Sequence, residues 1–155
     1  MPLTTDDCWR AVRTADHGVL CTSNPRRTID AVPVCFAVVS QLIATPVDRV
    51  KPKSTTELGR LRNLDHDATA SLLCERWDPD DWSRLWWVRA HLVRRPDHDI
   101  TGWQREEGER ALRAKYPQYT DTEFAHVVYL DVKALVGWSA AADPEAEPGG
   151  GLSPR

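Results

Sequence analysis

Ile29-Asp30-Ala31-Val32-Pro33-Val34-Cys35-Phe36-Ala37-Val38 is the stretch on which the fold turns. It shows no helical spacing of apolar positions, and both of its alternating sets are apolar over most of its length. It therefore reads as one strand that wants cover on both faces. Pro33 brings no N–H to a ladder, which calls for a bulge, an edge position or a ligand at that point.

Upstream, Asn24-Pro25-Arg26-Arg27 reads as a turn and Val19 to Ser23 as a short strand. A helix comes first. Thr4 or Thr5 suits its N-cap, Asp6 and Asp7 suit its first turn, and Cys8, Val12 and Ala15 fall on one face. Gly18 follows its expected end as a left-handed C-terminal residue.

Downstream, Gln41 to Thr45 is a further strand, and Pro46 to Lys53 is a charged loop. Ser54 or Thr55 then caps a helix with Leu58, Leu61 and Leu64 on one stripe. Thr69 to Glu75 and Leu85 to Val93 read as strands and Thr101 to Lys115 as a helix ended by Pro117. His126 to Val132 alternates again, and Val136-Gly137-Trp138 closes the pattern. This order favours a mainly β, α+β antiparallel barrel over a doubly wound sheet. The reading gives one domain over 1–139 and a disordered tail over 140–155, where Ala, Asp, Glu, Pro and Gly show no apolar pattern.

The chain has 155 residues and a formal net charge of -3, so no global charge argues for nucleic acid or an anionic membrane. No apolar run reaches the length of a membrane span, and the acidic N-terminus lacks the features of a signal peptide. The expected location is the cytoplasm, where Cys8, Cys21, Cys35 and Cys74 read as small apolar residues and not as disulfides.

The segment Arg49-Val50-Lys51-Pro52-Lys53-Ser54-Thr55 places three cations and two hydroxyls before a helix N-terminus, where free N–H groups and the dipole favour an anion. Lys51, Lys53, Ser54 and Thr55 are therefore candidates for a phosphate, with Arg60 and Arg62 beside them; a solvated loop whose hydroxyl merely caps the helix is the plainer alternative. Four of the seven tryptophans fall between Trp77 and Trp87. On a strand, Trp86 and Trp87 must face opposite sides, one to the core and the other to a subunit, a helix or a ligand ring. The five histidines show no metal spacing, and no metal is expected. GxSxG, GxGxxG and P-loop patterns are missing, and no catalytic side chain stands out.

Taken together, Ala31-Val32-Pro33-Val34-Cys35-Phe36, Val50 to Thr55, Arg62-Asn63-Leu64 and Trp82 to Arg89 resemble the pyridoxamine-phosphate-oxidase-like split β-barrels of FMN-binding type. Lys115-Tyr116-Pro117-Gln118-Tyr119 and Gly137-Trp138-Ser139-Ala140 are similar to an actinobacterial branch of the flavin/deazaflavin oxidoreductases, linked to coenzyme F-420. The resemblance spans roughly Asp7 to Ala140. It departs at Ala90-His91-Leu92, where relatives carry a glycine, at the Asn24 to Arg27 turn and at Asp67-Ala68.

The resemblance implies a homodimer with two cofactor sites in its interface. It implies phosphate at Lys51, Lys53, Ser54 and Thr55, and a cofactor ring against Pro33, Val34 and Phe36 and near Ala44 and Thr45, walled by Trp86 or Trp87. The activity it implies is hydride transfer between reduced F-420 and a small unsaturated or conjugated molecule. FMN, as the cofactor of an oxidase or carrier, is the alternative; Arg26, Arg27, Arg49 and Arg60 are the residues that would favour the acidic tail of F-420. A non-catalytic haem or tetrapyrrole module is a third reading, with His91 or His98 as axial ligand.

Overall fold

The computed structural model describes residues 1–47 and 55–141, the side chains of 55–58 excepted. Lys51, Lys53 and Ser54, and residues 142–155 of the tail expected over 140–155, lie outside these residues; Thr55 is described by its backbone alone.

The first helix, α1 (Thr5–Thr14), starts where expected, with Thr4 Oγ1 accepting from the Asp7 N–H and two acids in the first turn. Its end differs from expectation. Ala15 leaves the helix in an extended conformation, and Gly18 is the first residue of a strand with no positive φ. Gly18 answers to packing instead: a Cβ there would stand 2.7 Å from Leu72 Cδ1.

Seven strands follow: β1 (Gly18–Ser23), β2 (Ile29–Val34), β3 (Ala37–Val39), β4 (Leu42–Val47), β5 (Thr69–Arg76), β6 (Trp86–Arg94) and β7 (His126–Ser139). Helix α2 (Thr55–His66) connects β4 to β5, and α3 (Gly102–Lys115) precedes β7. Thr101 and Gln104 cap α3 with reciprocal side-chain to backbone bonds, the arrangement that satisfies two otherwise orphaned N–H groups.

All strand pairs are antiparallel, in the order β2-β1-β5-β6-β7-β4-β3. The sheet curls around one core fed by nearly every strand: Leu20, Val34, Ile43, Leu72, Val88, Leu92 and Leu130 meet α1 through Cys8 and Val12 and α2 through Leu64. On the opposite face, α3 packs over β3, β4 and β7 through Leu112, Ala44, Val127 and Tyr129. This is an antiparallel split-barrel α+β fold.

Two strand assignments are corrected. The 29–38 stretch is two strands, because the chain turns at Cys35-Phe36. There the Phe36 N–H donates to Tyr116 Oη at 3.0 Å, and the Tyr116 hydroxyl lies 3.1 Å from the Phe36 carbonyl, so this residue is bonded to α3's end and not to a ladder. The two segments expected after 126 are one continuous strand, which β6 follows through a register shift at His91/Leu92. Pro33 sits on an edge strand, as its missing N–H requires. The expectation of cover on both faces fails within one chain: Ile29, Ala31 and Pro33 are exposed, because β2 lends only Val34 fully to the core.

Candidate functional site

A cleft of about 590 Å³ opens between the β1–β2 hairpin and the middle of α2. That volume lies in the range of small-molecule sites. The hairpin turn that forms one wall is fixed locally: the Asn24 N–H donates to the Thr28 carbonyl, and Asn24 Oδ1 accepts from the Arg26 N–H at 2.9 Å. This turn carries Arg26 and Arg27 on the rim. The α2 wall contributes Gly59, Arg60, Arg62 and Asn63.

The floor is polar and ordered. Asn63, only 3% exposed, donates through Nδ2 to Thr22 Oγ1 and Asp30 Oδ2, each at 3.0 Å. Asn24 Nδ2 donates to the same Asp30 oxygen at 2.7 Å, and Arg27 Nη2 stands 3.5 Å from the other. The amides of Asn63 and Asn24, aided by Arg27, hold the Asp30 carboxyl below the usual carboxylate range. One ionised carboxylate thus lies in a cleft lined by four arginines, with the Arg27 guanidinium beside it. Gly59 matters here as space, since among the described residues a Cβ at that position would meet nothing within 4 Å.

Of the residues singled out in the sequence, the structure brings Arg60 to this cleft, together with Arg26, Arg27 and Arg62. Arg49, Lys51, Lys53 and Ser54 lie outside the described residues. Val34, Phe36, Ala44 and Thr45 are buried within the chain, and the Thr45 hydroxyl donates to the Cys35 carbonyl at 2.8 Å. Pro33 is exposed on β2. Trp86 is 7% exposed in the core, whereas Trp87 faces the other side, cross-strand from Trp138 and with the Arg89 guanidinium 5.9 Å from its ring centre. His91 is exposed on β6, and His98 is exposed beside Asp99.

Asp30, Asn63, Asn24 and Thr22 were not foreseen. One signal was available: Asn63 interrupts the inner stripe of Leu61 and Leu64, and a buried amide must find partners. Among the described residues no group of three or more His, Cys, Asp or Glu is placed to hold a metal, and no helix is long and apolar enough to cross a membrane.

No family model and no curated protein matches the sequence. Solved structures do. An FAD-binding protein from Mesorhizobium loti is 12% identical with a TM-score of 0.64, over 88% of this chain and 93% of its own. An FMN-binding protein from Syntrophomonas wolfei is 11% identical with a TM-score of 0.61, over 86% of this chain and 88% of its own. A conserved hypothetical protein from Mycobacterium tuberculosis is 17% identical with a TM-score of 0.66, over 89% of this chain and 86% of its own. At these identities the likeness is one of fold, and the fold is that of split-barrel proteins whose solved members include flavin binders.

Proposed function

We propose that this chain is an oxidoreductase that binds a phosphate-bearing flavin or deazaflavin, with F-420 as the cofactor and a small unsaturated or conjugated molecule as hydride partner. The observation that carries the reading is the cleft along α2, which Arg26, Arg27, Arg60 and Arg62 line together with Gly59. These residues fit an acidic, elongated ligand: guanidiniums meet phosphate and carboxylate through paired, charge-assisted bonds. The phosphate is assigned to Lys51, Lys53, Ser54 and Thr55, since α2 begins at Thr55 and its first turn favours an anion. The ring is assigned to the exposed side of β2 at Pro33.

When bound, such a cofactor supplies the hydride chemistry itself, and the protein supplies binding, orientation and electrostatics. In this chain that means the arginines draw the anionic part of the ligand to the cleft, and the hairpin and α2 hold its walls apart. FMN is the second reading, favoured by the flavin binders among proteins of this fold.

A second copy of the chain is proposed to complete the site. The open face carries a row in register across five strands: Pro33, Val19, Leu73, Arg89 and Val136. Ile29, Leu73 and Val136 are among its exposed apolar side chains, an arrangement that favours cover by another protein surface.

Titration of the purified protein with F-420 and, separately, with FMN tests the cofactor. Saturable F-420 binding, weakened by about 1–3 kcal/mol in Lys51→Ala and in Lys53→Ala, is the expected result. Saturation by FMN alone moves the reading to the second cofactor, and saturation by neither overturns it.

A further inference from the structure

The carboxylate in the floor of the cleft is at odds with a site built only to attract anions. A bare phosphate among four arginines would be bound more tightly without Asp30, since a like charge nearby opposes it. Yet three side chains are arranged around this group. Asn63 and Asn24 both donate to Asp30 Oδ2, and Thr22 Oγ1 holds the other direction of the Asn63 amide. The second oxygen, Oδ1, has Arg27 Nη2 at 3.5 Å, from a side chain 73% exposed. An ionised carboxylate offers about four lone-pair positions, so Oδ1 keeps accepting capacity. Its own side chain is 31% exposed and lines the cleft. One helical turn before Asn63 on the same face of α2, about 6 Å along the axis, stands Gly59 with open space before it.

We propose that Asp30 is a specificity-determining acceptor, and that the cleft selects a phosphorylated polyol: a ligand hydroxyl donates to Asp30 Oδ1 while the arginines attract the phosphate, whose direct contacts are those assigned above. This rests on the flavin reading above, since the flavin and deazaflavin cofactors carry such a chain, and it names the part of the ligand that the described residues recognise. Asn63 and Asn24 are positioning residues. They fix one oxygen so that the other is presented to the ligand, and Arg27 is the group a hydroxyl displaces or joins.

The test compares ribitol 5-phosphate, pentyl phosphate, inorganic phosphate, FMN and F-420 by calorimetric titration of the full chain. In the wild type, ribitol 5-phosphate should bind about tenfold or more tightly than pentyl phosphate, which has the same charge and no hydroxyls. In Asp30→Asn the side-chain oxygen can still accept from Asn63 and Asn24, and the cleft is offered a donor in place of an acceptor. Inorganic phosphate should then bind several-fold tighter, while ribitol 5-phosphate and FMN bind about tenfold weaker. Equal wild-type affinity for the two organic phosphates overturns the proposal without any variant. So does a parallel gain for all ligands in Asp30→Asn, the result of a purely electrostatic or structural role. Preference for ribitol 5-phosphate with no binding of FMN or F-420 overturns the flavin reading and leaves Asp30's role standing. FMN binding with no hydroxyl preference does the reverse, and saturation by none of these ligands overturns both.

Discussion

Gly108 of α3 lies against the phenol ring of Tyr129 in β7, so closely that a methyl group at 108 would stand 2.8 Å from ring carbon Cε1. A mid-helix glycine ordinarily weakens its helix by about 1 kcal/mol relative to alanine. Here it admits the ring that anchors α3 to the sheet, with the Tyr129 hydroxyl 3.3 Å from the Arg105 carbonyl. Tyr129 is 2% exposed and held by close-packed neighbours, so it cannot easily give way.

Gly108→Ala should therefore destabilise the protein by about 1 kcal/mol or more, despite alanine's better helix propensity, because overpacking costs about 1–3 kcal/mol. Urea unfolding of Gly108→Ala, alone and combined with Tyr129→Phe, checks this. The penalty should shrink in the double variant, whose ring lacks the hydroxyl nearest to residue 108. An unchanged midpoint in the single variant would show that the ring has room to move.

Gly59 is the opposite case, since among the described residues nothing stands within 4 Å of a Cβ there. Gly59→Ala should stabilise the chain by about 0.5–1 kcal/mol through helix propensity alone. Gly59→Leu should keep a raised melting temperature and lose most cofactor affinity, because its side chain enters the cleft. Full affinity in Gly59→Leu would place the cofactor elsewhere.

The fold was legible where local chemistry decides it. Thr4 or Thr5 marks the first helix start, Pro33 asks for a bulge, an edge or a ligand and finds an edge, and Trp86-Trp87 announces one buried and one outward ring. The break at Cys35-Phe36 was not legible, because the group that holds it is a hydroxyl 80 residues away. The continuity of β7 was hidden in the same way: Lys133 and Ala134 carry no strand pattern of their own, and β6 carries the strand past them by pairing Val132 with Leu92 and Ala134 with His91. In the cleft, the arginines could be named from the sequence but their convergence could not. Asp30 and Asn63 belong to one another only because β2 and α2 are brought together in space.

The open face gives a prediction about assembly. Leu73 and Val136 flank Arg89 in register, and both are exposed in the single chain. Sedimentation of the wild type should give twice the 17.5 kDa chain mass. Leu73→Lys or Val136→Lys should yield a folded monomer, since each sets a like charge beside Arg89 and buries it without a partner at an interface, which opposes association strongly. A wild-type monomer, or dimers untouched by both changes, would exclude this face as the contact.

Lys115, at the end of α3, offers a pH test. Its ammonium is buried, lies 3.9 Å from the centre of the Phe36 ring and has no hydrogen-bond acceptor among the described residues. Burial pushes its pKa below the ordinary lysine value. In the range between the folded and unfolded values the unfolded chain binds more protons, so stability should rise as pH increases there. Tyr116 and Tyr129, pushed up to about 12 by burial, act in the opposite sense above about pH 10, where unfolded tyrosine ionises first, and the buried Cys74 thiol, also pushed up to about 12, does so from about pH 8.5. The measurement is therefore the difference between the wild type and a Lys115 variant over about pH 7 to 9.5, in which these shared contributions cancel. Lys115→Met keeps a favourable contact with the Phe36 ring through its sulfur and removes the desolvated charge. It should be more stable than the wild type by about 1 kcal/mol at pH 7, with the difference narrowing as pH rises. A variant less stable at pH 7, or a difference independent of pH, would mean that the attraction between the ammonium and the Phe36 ring outweighs the loss of water.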